Sequence, residues 1–486
     1  LRSDYVSNTT GEQVAAVDFA AMDSETAKLY RLDGRPPFRL AYPVALQHLL
    51  AMFTSNLAPI LIISSVAQAT TSQVIIMIQA AMFAAGAATL LNCYPVRIGK
   101  VQIGAGLPIV MGTSMTFVPP ATAVALIAVE MGHPNPIGVV LGGLIVASVS
   151  EVVLGALYKY LRPFFPPHVL GAMLLSLGIS LLTVGTNNFG GGSPAANPYF
   201  GSAQNMMLAG FVFLLYMFLQ RFGKGIFKLA SVLFALIAGY VAAILIGIVD
   251  FYPVTQAAIF ELPRPLALGP VFYPWAITMF LAVYVVSGLA TIGYTHTITT
   301  QSMNRPSTNR ETSGAIYADA VSSAFAGLFN SLPNTEFGQN ASLVANTKII
   351  SKWVVALCAF TLIAASVFPP IGAVFATVPP PVLGGAILAV FAFIMTNAIA
   401  MIAKTGFSQR KLTSLCIMFA VGLGFAPPGN AALIQSFPAP MHFIFSDRVL
   451  LMSVVAVVVN IFFMEREDFE KIKNLLKNPD TDYVDE

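Results

Sequence analysis

Charge is what this chain of 486 residues lacks: Asp, Glu, Lys and Arg make up 10% of it, against 56% apolar residues. A soluble domain carries roughly a quarter charged residues, so the composition excludes an ordinary water-soluble globule. Cysteine is almost missing too. Cys93, Cys358 and Cys416 stand far apart in apolar context, which leaves neither a disulfide framework nor metal-ligand spacing. A net charge of +3 is too slight an excess to call for a nucleic-acid partner. Walker loops, dinucleotide fingerprints and His/Cys/carboxylate clusters are absent, so neither an ATP-driven pump nor an enzyme is expected, and no cofactor or metal. The polar N-terminal stretch has no short apolar core with a cleavage site, so the first span is expected to direct insertion.

What fills the chain instead is apolar runs of about 20 residues, each long enough to cross a hydrocarbon core of ~30 Å. They centre near residues 41–65, 73–95, 103–131, 137–157, 166–186, 205–222, 228–249, 274–294, 315–332, 337–349, 350–368, 379–403, 411–427 and 449–464. The reading is an all-α polytopic membrane protein with fourteen transmembrane segments in the plasma (inner) membrane. With both termini cytoplasmic, every Lys and Arg except Arg264 and Arg448 falls in a tail, a cytoplasmic loop or a cytoplasmic span end, the bias of the positive-inside rule. The tails, 1–38 and 465–486, are short and polar, and an amphipathic helix is expected over 465–477.

A repeat divides the spans. Pro166-Pro167-His168-Val169-Leu170-Gly171 is echoed by Pro379-Pro380-Pro381-Val382-Leu383-Gly384, and each copy opens an apolar span, the fifth and the twelfth. Seven spans per repeat is an odd number, so the halves must lie in opposite orientation, an architecture of many secondary transporters.

Two equivalent spans are interrupted. The third runs Gly104 to Pro120 through Gly112-Thr113-Ser114-Met115-Thr116-Phe117-Val118-Pro119-Pro120, and the tenth runs Ser331-Leu332-Pro333-Asn334-Thr335-Glu336-Phe337-Gly338-Gln339-Asn340. Gly, Pro and β-branched residues favour short extended stretches here. Non-helical backbone at membrane depth must be buried in protein or line a polar cavity, and paired interruptions point to a mid-membrane binding site. Half-helices starting near Pro119 and Asn340 would aim N–H groups at that site. Phe117 and Phe337 could sandwich an aromatic ring, and Gln339 could meet an edge carrying C=O beside N–H.

At these residues the chain resembles the nucleobase–ascorbate transporter family, the nucleobase:cation symporters. Its signature, Gln/Glu-Asn-x-Gly followed after four residues by Thr and Arg, Lys or Gly, is met by Gln339-Asn340-Ala341-Ser342 and Thr347-Lys348, with Ser342 in place of Gly. Gln47-His48, Leu107 to Val118, Gly314 to Asp319 and Gly327 to Asn340 also resemble family segments. The resemblance implies a core domain of spans one to four (39–157) and eight to eleven (274–368). It implies a gate domain of spans five to seven (158–250) and twelve to fourteen (369–464). It further implies a homodimer, an elevator-like movement of core against gate, and import of a nucleobase with a cation, expected to be a proton. Gln at position 339 implies a purine of the xanthine or uric acid type.

One departure stands out. Where the family carries an eighth-span Glu and, four residues on, an Asp, this chain has Ala290 and Tyr294. That loss keeps an alternative open: an exchanger or facilitator of the same fold for another, possibly anionic, solute. The expected substrate-binding residues are Gln339, Phe337, Gly338, Phe117, Asn340, Ala290 and Ser114. Asp319 and Glu336 are expected to carry the coupling charge, Glu336 either as a buried replacement for the missing Glu or as a hydrated carboxylate at the mouth. His48, Tyr294 and Thr116 are expected behind the binding residues. Glu151 is read as reaching the membrane interface or pairing with Lys159.

Overall fold

The structure, a computed structural model, describes residues 24–463 apart from 100, 162–165, 193–196, 225–226, 228–230, 405 and most of 426–447. Most of the expected N-terminal tail, all of the C-terminal tail over 465–486 and the helix expected at 465–477 lie outside those residues. Helices α1 (Phe38–Val66) and α2 (Thr71–Cys93) come first, followed by strands β1 (Val96–Ile98), β2 (Val101–Ile103) and β3 (Met111–Thr113). Next come α3 (Val118–Glu130), α4 (Pro136–Ala147), α5 (Val149–Leu161), α6 (Pro167–Gly190), α7 (Ala203–Phe222), α8 (Ser231–Ile246) and the short α9 (Tyr252–Gln256). The second half holds α10 (Pro274–Met303), α11 (Asn309–Leu328), β4 (Asn334–Glu336), α12 (Gly338–Thr347), α13 (Lys352–Ser366), α14 (Pro369–Ala376), α15 (Pro380–Lys404), α16 (Gln409–Gly422) and α17 (Arg448–Phe463).

Among the described residues, six helical segments are each long and apolar enough to cross a membrane, α4 and α5 counting as one. α13 and α14 meet at a bend of 83°, where Pro369 cannot continue the α13 ladder. Local signals set the helix starts. Thr70 and Gln73 cap α2 reciprocally, and Thr308 and Glu311 do the same for α11, each pair satisfying two otherwise orphaned N–H groups.

The two helices opened by the Pro-Pro-x-Val-Leu-Gly repeat, α6 and α15, pack antiparallel along their length. Gly171, Gly178 and Gly185 lie one heptad apart and face Ile402, Met395 and Leu388 in turn. A Cβ at those glycines would come within 2.5, 2.3 and 3.1 Å of these side chains. Small residues at such spacing let backbones approach where lipid offers no hydrophobic drive for association.

One feature departs from the expected span pattern. The segment after α2 is a two-stranded hairpin, β1–β2, paired Val96 to Ile103 with its turn at Gly99. Its alternation Val-Arg-Ile-Gly-Lys-Val-Gln-Ile is a hairpin pattern that the span count passed over. The extended stretches of the third and tenth spans lie deep in the protein: β3 and β4 form an antiparallel pair, Met111 opposite Glu336, Gly112 opposite Thr335 and Thr113 opposite Asn334.

Candidate functional site

β3 and β4 are buried at every position, so each backbone group needs a partner. α2 and α1 supply several. Met111 N–H donates to Thr89 Oγ1 at 2.9 Å, and Thr113 N–H donates to Asn56 Oδ1 at 2.7 Å. The ends are tied too: Ser114 N–H donates to the Pro333 carbonyl at 2.9 Å and Phe337 N–H to the Val110 carbonyl at 3.0 Å. Gly112 is required by close approach, since a Cβ there would lie 2.3 Å from Phe337 Cε2 and 2.7 Å from Asn56 Oδ1.

A cavity of about 120 Å3 opens beside this strand pair. Ser114, Met115 and Thr116 line it from the first break, and Thr335, Glu336, Phe337, Gly338 and Gln339 from the second. α10 contributes Ser287, Ala290, Thr291 and Tyr294, and α6 contributes Leu174. Thus Gln339, Phe337, Gly338, Ser114, Thr116, Ala290, Tyr294 and Glu336, singled out in the sequence, converge on one space.

The helix starts around it are unequal. In α12 the N–H groups of Gly338 and Gln339 precede the first intrahelical bonds, which Asn340 and Ala341 N–H make to the Phe337 carbonyl at 3.1 and 3.0 Å. They are free to meet a ligand. In α3 the Val118 N–H is taken by the Met115 carbonyl, and Pro119 and Pro120 have no N–H to give. The donors expected near Pro119 are therefore missing.

Phe117 departs from its expected place. The strand ends at Thr113 and a 3-10 turn over Met115–Phe117 follows, so the alternation of an extended chain is lost. The Phe117 ring is fully buried, with its centroid 4.5 Å from that of Tyr284. Met115 and Thr116 face the cavity instead, and no Phe117–Phe337 sandwich forms. Asn340 lies behind the cavity, where its Nδ2 donates to the His48 carbonyl at 3.0 Å and meets His48 Nδ1 at 3.1 Å. His48 is buried. Ser342, the substitution for the family's Gly, is exposed and donates to the Gly338 carbonyl at 2.8 Å.

The acids separate by environment. Glu336 is 4% exposed, and its carboxylate accepts from Asn92 Nδ2 at 3.4 Å and Thr295 Oγ1 at 3.2 Å. That burial corrects the alternative of a hydrated carboxylate at the mouth. Asp319 is fully buried behind α10, accepts from Thr291 Oγ1 through Oδ2, and does not line the cavity itself. Glu151 corrects its expectation as well: it is 0% exposed and reaches no interface. The Lys159 side chain lies outside the described ones.

Sequence reading missed Ser55, Thr113, Met115, Leu174, Ser287, Thr291 and Thr335 among the lining residues. A signal was available for two of them, Ser287 and Thr291. Ser287, Ala290, Thr291 and Tyr294 recur at helical spacing and form one small, polar face of an otherwise apolar helix. Met115 followed from mistaking a 3-10 turn for a strand, and Leu174 carries no local mark at all.

A family model described as Permease family (Xan_ur_permease) matches residues 40–429. The uric acid permease PucJ of Bacillus subtilis is 31% identical over 88% of this chain and 94% of its own. The xanthine permease XanP of Escherichia coli is 29% identical over 91% of this chain and 96% of its own. Among solved structures, the transmembrane domain of the cyanobacterial bicarbonate transporter BicA superposes with a TM-score of 0.55 at 15% identity, covering 86% of this chain and 97% of that one. SLC26A9 superposes with a TM-score of 0.56 at 13% identity, covering 95% and 72%. At such identity the two structures speak for the fold alone.

Proposed function

This chain belongs to the nucleobase–ascorbate transporter family, and we propose that it imports an oxopurine of the xanthine or uric acid type in symport with a proton. It is a multi-pass, mostly helical membrane protein with the fold of the bicarbonate and SLC26 carriers. The observation that carries the proposal is the chemistry of one wall of the cavity. Gln339 offers an amide C=O and NH2, the Gly338 and Gln339 backbone offers N–H donors, and the Phe337 ring offers a flat apolar surface, all within one turn of a helix start. A planar ring with alternating carbonyl and N–H edges is complementary to that set. Ala290 leaves room where the family's Glu would stand, and Glu336 enters the same cavity from the strand.

The same reading divides the chain into core (39–157 and 274–368) and gate (158–250 and 369–464), with fourteen spans in two inverted halves. In support, the cavity is built almost wholly by core elements, and Leu174 alone among its lining residues belongs to a gate helix. Sliding the core past α6 and α15 would carry the cavity across the membrane in an elevator-like step. A homodimer in the plasma membrane completes the reading, with both termini cytoplasmic as the distribution of Lys and Arg supports.

The experiment is uptake of radiolabelled xanthine and uric acid by cells without purine carriers of their own, with and without a protonophore. Saturable uptake of one oxopurine that collapses with the protonophore is expected. Uptake of no purine base would overturn the proposal.

A further inference from the structure

Glu336 brings the cavity a titratable group, besides the hydrogen-bonding edge that Gln339 offers. It lines the cavity from β4 and is 4% exposed. Two neutral side chains hold its carboxyl. Asn92 Nδ2 of α2 donates at 3.4 Å, and the single hydroxyl of Thr295 on α10 lies 3.2 and 3.4 Å from the two carboxyl oxygens. Asn92 is turned this way because its Oδ1 is taken by the Ala105 N–H at 2.7 Å, which leaves its amide N–H for Glu336. An ionised carboxylate has about four acceptor positions, so these two long-range donors leave capacity that a ligand N–H in the cavity fills.

The elements around Glu336 bring it no positive charge. α10 contributes Tyr294, whose ring borders Gly338, and Thr291, whose hydroxyl donates to Asp319 of α11. Thr291 and Thr295 lie one turn apart on α10, so the two acids are held at successive turns of one helix. α2 contributes Cys93, whose thiol meets the Ile109 carbonyl, and β3 places Met111 opposite Glu336. α1 contributes His48, which meets Asn340, and α12 ends at Lys348, whose Nζ donates to the Gln301 carbonyl. Among the described residues no Lys or Arg forms an ion pair with Glu336 or Asp319. A small buried cavity with a carboxyl in its wall and no cation holds one negative charge far better than two, since neighbouring like charges oppose each other's ionisation. The two kinds of base considered above differ on this point. Near neutral pH uric acid has lost a proton and is a monoanion, whereas xanthine is largely neutral.

We propose that Glu336 selects the charge form of the base: ionised, it admits a neutral oxopurine, and it admits the urate anion only after taking up a proton. The assignment rests on the carrier reading above. With a neutral base the negative charge lies on Glu336, which accepts an N–H of the ring. With urate the charge lies on the ligand, and the Glu336 O–H donates to it. The loaded cavity carries one negative charge in both cases. The proton for urate comes from water, one gained per anion bound, and no other bond changes. The sign of the pH dependence follows. Urate binds with full affinity where the carboxyl is protonated, and its affinity falls by about ten-fold per pH unit once the free site has lost that proton.

The test is isothermal titration of the purified full-length protein with urate from about pH 6.5 to 8.5, a range over which urate keeps its single charge. Wild-type affinity is expected to fall as pH rises. Titrations in buffers of different ionisation enthalpy are expected to show one proton taken up per urate at the alkaline end. E336Q is neutral at every pH and keeps a donor, so its urate affinity is expected to be independent of pH, without proton uptake, and at least about ten-fold tighter than wild type at the alkaline end. E336T gives the same neutral comparison without the amide, and stabilisation of either variant by xanthine checks its fold. A wild-type affinity for urate that does not change with pH would overturn the proposal, as would a fall that the neutral variants share. Xanthine binding by wild type and variants, with urate bound by none, would overturn it too and leave the carrier reading standing. A wild type that binds neither base at any pH would sink both.

Discussion

Set side by side, β3 with α3 and β4 with α12 share a geometry and differ in what they carry. Each is a three-residue strand running into a half-helix, and the strands pair across the same buried plane. The first break holds no ionisable residue, its backbone is tied down by Thr89 and Asn56, and Pro119 and Pro120 delete the donors of its helix start. The second holds Glu336, Gln339 and Asn340 and keeps the N–H groups of Gly338 and Gln339 free. One break gives the cavity its shape and the other its chemistry. The difference follows from residue type alone: proline and glycine set backbone paths, whereas amide and carboxylate groups read a ligand.

Four substitutions would break or sharpen that contrast. Q339A removes the group expected to read the purine edge, and xanthine affinity should fall about 100-fold, as for sites left with unpaired polar groups; isothermal titration of the purified protein measures it. G112A drives a Cβ into the Phe337 ring and Asn56, so thermal unfolding should register a loss of about 1–3 kcal/mol from overpacking, with binding weakened through the displaced ring. N340A cuts the link to His48 on α1 and should cost about 1–2 kcal/mol of stability, the scale of an interhelical hydrogen bond in a membrane. Xanthine should still stabilise that variant. P119A returns one N–H to the α3 start and should change xanthine affinity by less than about three-fold, since a lone helix-end donor contributes well under 1 kcal/mol. A large effect of P119A would mean that the first break reads the ligand too.

How far the sequence carried the account depends on the kind of information each residue needed. Gly112-Thr113-Ser114 and the Pro333-to-Glu336 stretch announce non-helical backbone by composition, and strands run through them over Met111–Thr113 and Asn334–Glu336. Gln339, Phe337 and Glu336 follow at once, because residues flanking a break must face whatever the break encloses. Phe117 was misjudged for a reason of geometry: a 3-10 turn advances about 120° per residue, so a position read as strand-facing turns into the core. Glu151 was misjudged for a different reason. Hydropathy gives an acid's depth along its own helix, but the helices packed against α5, α10 at Gly288 and α11 at Tyr317, are distant in sequence and only packing brings them near. Leu174 shares that fate, as a lone apolar residue whose role comes from facing a cavity built by other helices.

The measurement that bears most directly on the central claim is a thermal-unfolding panel on the purified protein and on Q339A, with xanthine, uric acid, uracil, bicarbonate and sulfate. A ligand that binds only the folded state stabilises it by RT ln(1 + [L]/Kd). The account predicts stabilisation of the wild type by an oxopurine, strongly reduced in Q339A, and silence from the inorganic anions. Stabilisation by bicarbonate or sulfate with no response to any purine would contradict it.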